Sequence, residues 1–418
     1  MNLTGLRLAV LGAISRPSPP PGYGPWEQVA YNIAAGMTRR GADVTLFATA
    51  NSRSPGRLCA VVPVGLAEDG ALDDALCTEL HIAACFARAT HFDLIHNNFD
   101  WKPLLHALGV PQPPLVTTVH GFSSPPILGA YYAAAGRSFY CSISDADRDP
   151  GLAYLATTYN GIDPALWTFR ATPGEYLLFF GRFHPEKGAH LAIEVARRAA
   201  VRVKLAGIVH DEAYFRERIA PHVDGDRVQY LGHVQGAHRD EVLGEALALV
   251  HLTTRPERFG LTLIEAMACG TPVLGARMGS IPEIVIDGET GLLCDDVGEG
   301  DVDETTTSVR SGLAQAAARV SQLATLSRAA CRAHVERTFS LERMIDRYVA
   351  AYAEALELRT PPPPTPEQLR WRAHDWWDRP MAFTDVPPKP QHGLDLRAFE
   401  RATRDVAVPR RSAGDELH

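Results

Sequence analysis

Short apolar runs, separated by longer segments of helical periodicity, fill most of this chain, and that alternation leaves few folds open. In the first half the runs are RLAVLG, DVTLFA, DLIHNN, PLVTTVH and FYCSIS; a second series is EYLLFFG, VRVKLAGIV, RVQYLGH, LALVHLT and TPVLGAR. Between the first two runs, EQVAYNIAAGMTRRG places Val29, Ile33 and Met37 on one helical face, and Gly41 closes the helix. HLAIEVARRAA and HRDEVLGEALA separate runs of the second series in the same way. Strand-helix alternation implies parallel sheets joined by right-handed crossovers. Two such series, meeting near TYNGIDPALWTFRATPGE, imply two α/β domains across a cleft, expected at 1–168 and 169–340. FSLERMIDRYVAAYAEALEL reads as a closing helix, 341–360, packing back toward the first domain. PPPPTP then opens an extension, 361–418, with three of the six tryptophans (Trp371, Trp376, Trp377), which is expected to dock on the globular body.

At 418 residues the chain exceeds one ordinary core, and 46% hydrophobic with 22% charged residues is the balance of a soluble globular protein. A formal charge of −8 without a basic block argues against nucleic acid as the main partner. Seven scattered cysteines, none in a CxxC pair, fit reduced thiols and a cytoplasmic setting. No apolar stretch reaches the roughly 18 residues of a membrane span. The run LRLAVLGAI leads into RPSPPPGYGP instead of a cleavage site, and reads as a first buried strand.

The strongest chemical signal is RPERFGLTLIEAMACGTPVLGARMGSIPEIVIDGETGLL. Phe259 and Gly260 form a turn after LALVHLT, and a helix begins near Leu261. The free N–H groups of Leu261 and Thr262 then point at a phosphate, aided by the helix dipole, and Gly260 lets the ligand approach the backbone. Glu257, before the helix, is placed to accept from sugar hydroxyls; Glu265, inside it, is placed to accept from a ribose diol. FFGRFHPEKG is the second signal, with Arg182 and Lys187 in the loop after a strand. Two fixed cations there would neutralise charge developing on a departing phosphate, where another enzyme uses Mg²⁺.

These motifs, with PPPGYGPWEQVAYNIAAGMTRRGADVTLFA, HNNFDW and TTVHGF, resemble family 4 of the retaining glycosyltransferases over roughly residues 5–355. The resemblance implies the GT-B fold, two facing Rossmann-like domains with parallel sheets and a cleft between them. It implies retaining transfer of a hexose-type sugar from a nucleotide-diphosphate donor to a hydroxyl acceptor, with a UDP-sugar favoured over a GDP-sugar. The acceptor is then a small molecule, an oligosaccharide or a polysaccharide precursor. Arg182 and Lys187 would hold the diphosphate and Glu265 the ribose. Glu257, with the backbone of Phe259 and Gly260, would orient the sugar, and His120 would lie beside the reactive bond. Loops around Val209 and Gly232 would meet the base. A sugar-nucleotide epimerase on the same architecture is the alternative.

The sequence departs from the family at its first loop, where Tyr23-Gly24 is followed by Pro25, Trp26 and Glu27 instead of a second glycine. Gly22 and Gly24 still let backbone approach the donor, while Trp26 reshapes the acceptor mouth. His120 ends a strand at the carboxyl edge of its sheet, where ligands of open α/β sheets bind. His96, Asn97, Asn98, Asp100 and Trp101 leave another strand at that edge, with Asn98 and Asp100 the candidate acceptor contacts. GxGxxG is absent after the first strand and GxxxxGK[ST] is absent altogether, which disfavours dehydrogenases and P-loop ATPases. DADRD (Asp145, Asp147, Asp149) reads as the capped start of a helix, so no metal ligand and no cofactor beyond the nucleotide-sugar co-substrate is expected.

Overall fold

The computed structural model describes residues 3–108, 111–121, 125–295 and 307–361; the expected docking of Trp371, Trp376 and Trp377 lies outside them. The first series of apolar runs forms a seven-stranded parallel sheet of β1 (Arg7–Leu11), β2 (Asp43–Phe47), β3 (Arg57–Cys59), β4 (Leu94–Asn97), β5 (Leu115–Val119), β6 (Phe139–Ser142) and β7 (Tyr154–Thr157), in the order β3-β2-β1-β4-β5-β6-β7. The second forms a six-stranded parallel sheet of β8 (Tyr176–Phe180), β9 (Arg202–Ala206), β10 (Val228–Gly232), β11 (Ala248–His251), β12 (Val273–Ala276) and β13 (Gly291–Cys294), ordered β10-β9-β8-β11-β12-β13. Each order reverses beside its first strand, opening a crevice at the carboxyl ends of β1 and β4 and of β8 and β11.

The central strands are legible because they are buried on both faces. Residues 8–11 of β1 and all of β4, β5 and β11 are shielded from solvent. Three strands escape the apolar pattern. β3 and β7 are sheet edges and only partly covered, so their sequences RLC and YLAT carry no continuous apolar run. β13 is buried but only four residues long.

The first long helix spans Pro25–Arg39, beginning before the EQVAY periodicity. Pro25 therefore occupies the first helical turn, where its missing N–H has no intrahelical acceptor to lose. Gln28 N–H bonds Gly24 O at 3.0 Å, closing the first turn.

The terminal helix, Leu341–Leu358, packs on the first sheet although it follows the second in sequence. A Cβ on Gly36 would lie 2.4 Å from Ile345 Cγ1, so the glycine lets the two helices touch. Arg40 reaches Glu342 at 2.8 Å and Asp346 at 2.6 Å across the same crossing. Deeper in, Tyr352 Oη lies 2.7 Å from His96 Nδ1, and Tyr348 Oη lies 2.8 Å from Thr118 Oγ1. Thr118 Oγ1 is also 3.2 Å from His96 Nε2, so both imidazole nitrogens are satisfied inside the core. His96 is thus a packing residue that fastens the helix, not an acceptor contact.

Burial lowers the His96 imidazole to about 3. Between that value and the ordinary 6.5 the unfolded chain binds a proton that the folded chain refuses. Stability is therefore full above pH 6.5 and falls as pH drops, with a slope from this group of at most about 1.4 kcal/mol per pH unit. The buried His81 and the partly buried His190, both lowered to about 4 by desolvation, act in the same direction. Urea unfolding between pH 7 and 5 should give a shallower acid slope for His96→Gln than for the parent chain.

Candidate active site

The second sheet's carboxyl edge gathers most of the predicted donor residues. β8 ends at Phe180, and the chain turns through Arg182 into a single 3₁₀ turn, Pro185–Lys187. Gly188 ends that turn with φ +71°; a Cβ there would fall 1.9 Å from the Leu252 carbonyl oxygen. Thr254 N–H bonds Glu186 O at 3.0 Å. The loop after β8 is thereby nailed to the loop after β11, which carries Glu257.

Those two loops meet in one charged cluster. Lys187 Nζ is 2.6 Å from Glu257 Oε2, and His251 Nε2 is 2.8 Å from the same oxygen. Burial opposes ionisation of Glu257, yet the His251 hydrogen bond and the Lys187 charge prevail and hold the carboxyl well below its ordinary range. Glu257 is thus an ionised, oriented group, and Lys187 is already paired instead of being a bare cation. His251, at the end of β11, was missed because the run LALVHLT does not show that its histidine bonds Glu257 in the loop beyond. Arg182 differs: among the described residues its guanidinium has no hydrogen-bond or ion-pair partner.

Beyond Glu257 the backbone is clamped. Ser280 N–H bonds Glu257 O at 3.0 Å, and Ser280 Oγ bonds Phe259 O at 3.0 Å. The Phe259 side chain is buried, packed near Tyr159 and Phe339, so only its backbone is near the site. Gly260 has φ +86° and caps the Leu261–Ala268 helix without a side-chain cap. The first-turn N–H groups of Leu261 and Thr262 therefore lack intrahelical acceptors. One turn in, the buried Glu265 is ion-paired with Arg239, whose guanidinium lies over the rings of Trp167 and Phe180 at 5.4 and 5.2 Å. Arg239 was not anticipated either; it comes from the helix Gly236–Gly244, remote in sequence from Glu265. Val209 bridges to Phe183, and Gly232 ends β10 with φ +71°, so both stand at the same edge.

Across the cleft, Gly22 is exposed, and a Cβ there would lie 3.0 Å from Gln235 Oε1 of the second domain. Gly24 is buried against Pro20 and Glu27, whose carboxylate accepts from Arg16 N–H at 3.1 Å. Gly24 is thus a loop-packing position. Trp26 stacks on His120 with ring centroids 5.5 Å apart. Asn98 Nδ2 donates to Trp26 O at 3.0 Å, and Asn98 Oδ1 lies 2.9 Å from His120 Nε2. With the amide turned that way, Oδ1 accepts and Nε2 carries the proton, leaving Nδ1 as an acceptor. Burial lowers this imidazole to about 4, so it is neutral near pH 7.

Beside His96, the acceptor expectations at Asn98, Asp100 and Asn97 are corrected: Asn98 is fully buried, with its amide committed to Trp26 O and His120. Asp100 is buried with φ +61° and accepts from Tyr131 Oη, so its carboxylate is committed within the domain. Asn97 is spent on Asp100 O at 2.8 Å and Thr117 Oγ1 at 3.2 Å. DADRD does not start a helix: it is a sequence of turns. Asp145 accepts from Thr157, Asp149 from Tyr132 at 2.6 Å, and Asp147 pairs with Arg258 of the second domain. Among the described residues no group of histidine, cysteine, aspartate and glutamate has the geometry of a metal site.

Two family models match the chain in series, Glycosyltransferase Family 4 over residues 26–148 and Glycosyl transferases group 1 over residues 169–314. The chain belongs to the GT-B glycosyltransferases. Among relatives of this GT-B chain, glycogen synthase of Mycobacterium tuberculosis is 30% identical over 54% of the chain, a match spanning 61% of that relative's length. D-inositol 3-phosphate glycosyltransferase of Mycolicibacterium smegmatis is 26% identical over 84% of the chain and 92% of its own length. In fold, sucrose-phosphate synthase of Thermosynechococcus elongatus superposes with a TM-score of 0.66 at 19% identity, over 84% of this chain and all of that one (100%). No helix among the described residues is long and apolar enough to cross a membrane.

The clamp on the Lys187 loop is testable without touching a charge. Gly188→Ala should cost about 1–3 kcal/mol of stability and weaken nucleotide binding, because the methyl group strains the backbone and displaces Lys187. Gly181→Ala, whose added Cβ meets only Phe179 Cζ at 3.5 Å, should melt like the parent chain. Thermal melts with and without nucleoside diphosphate read both outcomes.

Proposed function

We propose that this GT-B glycosyltransferase moves a hexose-type sugar from a nucleotide-diphosphate donor, UDP favoured over GDP, to a hydroxyl of a small-molecule or saccharide acceptor, with retention at the anomeric carbon. The observation that carries the reading is the convergence at one sheet edge of Arg182, whose guanidinium has no side-chain partner among the described residues, the Lys187–Glu257–His251 cluster and the open helix N-terminus at Gly260. The diphosphate is held by Arg182 and by the N–H groups of Leu261 and Thr262, and Glu265 exchanges Arg239 for the ribose hydroxyls. Glu257 accepts from hydroxyls of the donor sugar, and His120 Nδ1 accepts from another.

In the reaction the bond between the anomeric carbon and the β-phosphate oxygen breaks. The acceptor oxygen attacks from the same face, and its proton passes to the departing phosphate. Arg182 and Lys187 offset the negative charge that grows on that phosphate. Glu257 is engaged by two neighbours, which suits an orienting group better than a covalent nucleophile. Charge balance by side chains leaves the reaction without need of a metal. Closing of the two domains excludes water from the bond being broken.

Thermal-shift measurements with UDP, GDP, ADP and their sugars test the donor: a ligand at 100 times its Kd should stabilise the fold by about 2.7 kcal/mol. Turnover of the donor so identified should yield free nucleoside diphosphate and survive excess EDTA. Formation of an isomeric nucleotide sugar would instead mark an epimerase, and activity restored only by Mg²⁺ or Mn²⁺ would refute the charge-balance role of the cations.

Steady-state kinetics then separate the residues. Lys187→Ala should lower kcat on the order of 10²-fold, since it faces charge that develops in the transition state. Glu265→Gln should raise donor KM with a smaller change in kcat, because the ribose is unchanged during reaction. A Lys187→Ala enzyme with normal kcat would reduce Lys187 to a binding role.

A further inference from the structure

The turn between β6 and β7 does more than link two strands. Its DADRD segment is one place where the first domain grips the second, and its partner Arg258 directly follows Glu257. Ser144 Oγ donates to Arg258 O at 2.8 Å, and the buried Asp147 forms an ion pair with the Arg258 guanidinium. Asp145 N–H and Ala146 N–H donate to Glu283 at 2.8 and 2.6 Å, and Tyr159 Oη donates to the same carboxylate at 2.9 Å. The Arg258 stem also lies against Gly121, the residue after His120: a Cβ on Gly121 would be 2.9 Å from Arg258 Cδ. One arginine therefore touches the backbone that carries His120 and shares a peptide bond with the residue that orients the sugar.

We propose that Arg258, held by Asp147, is a positioning residue that sets Glu257 in register with His120 across the cleft. The inference rests on the donor-site reading above and deepens it. In that reading the donor's nucleotide half is held chiefly by the second domain, through Arg182, the Gly260 turn and Glu265. The sugar half needs groups from both domains, Glu257 from one and His120 from the other. A contact that fixes the two domains beside the sugar therefore acts on transfer, while nucleotide affinity is set elsewhere. The pair suits that task because Asp147 is 3% exposed and Arg258 is 44% exposed at the side chain. The aspartate is a fixed post on the first domain, and the arginine is an arm that can leave it when the cleft opens. Among the described residues Asp147 Oδ2 is buried without a hydrogen-bond partner, so Arg258, bound at Oδ1, supplies the carboxylate's main compensation.

The test uses the full chain and three variants, Asp147→Asn, Arg258→Ala and Arg258→Lys. Calorimetry gives Kd for the nucleoside diphosphate with the largest thermal shift, and steady-state assays give kcat. Misalignment by about 1 Å costs up to about 100-fold in rate. Asp147→Asn and Arg258→Ala should therefore lose about 10- to 100-fold in kcat, with Kd within twofold of the parent and Arg258→Lys recovering most of the loss. The inference is overturned if Asp147→Asn keeps kcat within twofold, if Kd weakens in proportion to kcat, or if Arg258→Lys is as impaired as Arg258→Ala. A parent chain that binds none of the nucleoside diphosphates refutes the donor-site reading itself; a nucleotide-binding chain with normal Asp147→Asn turnover refutes the alignment alone.

Discussion

The pairing of Lys187 with Glu257 organises the second domain's edge. The two residues come from loops following β8 and β11, which are adjacent in the sheet, so the ion pair converts strand neighbourhood into a fixed site. The pair is part-buried, so removing Lys187 would leave the Glu257 carboxylate partly desolvated with only His251 beside it. His251 adds a second bond to the same carboxylate oxygen and Gly188 presses the loop onto the Leu252 carbonyl. The result is a carboxylate whose direction is settled before any ligand arrives, which is what a group aimed at sugar hydroxyls requires.

The same logic of distant segments brought together holds at the scale of domains. The terminal helix, Leu341–Leu358, belongs by sequence to the second series yet seals the first sheet with Tyr348 and Tyr352. Ile162 N–H bonds Phe339 O at 3.0 Å and Leu341 N–H bonds Ile162 O at 2.6 Å, so the outgoing and returning chain segments run together. These paired crossings form one boundary of the two-sheet body, and the contacts of Arg258 and Glu283 with residues 144–147 form another.

Much of this was legible in the sequence, for identifiable reasons. Strands buried on both faces write themselves as apolar runs, and glycine-opened helices and strand-end cations have recognisable spacing. What stayed hidden was non-local. His251 and Arg239 act through partners outside their own segment, and His96 and Asp100 look like edge residues until their hydroxyl partners from Tyr352 and Tyr131 are seen. DADRD resembled a helix cap because aspartates favour caps and turns alike; its interdomain role depends on Arg258, more than a hundred residues away (|i−j| 111). Local chemistry names the candidates, and only the fold assigns their partners.

The division of charge between Arg182 and Lys187 carries a mechanistic consequence of its own. In the proposed reaction Lys187 and Glu257 are mutually neutralised in the resting site, so the pair adds little net attraction for a diphosphate. Arg182 and the Gly260 helix terminus then supply the ground-state affinity. Lys187 gains its weight only as the leaving phosphate becomes more negative and competes with Glu257 for the ammonium. As Lys187 shifts toward the phosphate, Glu257 loses part of its countercharge, and its field becomes more negative beside a sugar ring turning positive. The single ion pair thus serves both ends of the breaking bond. Both contributions are larger in the transition state than in the ground state, which is the condition for an interaction to raise kcat.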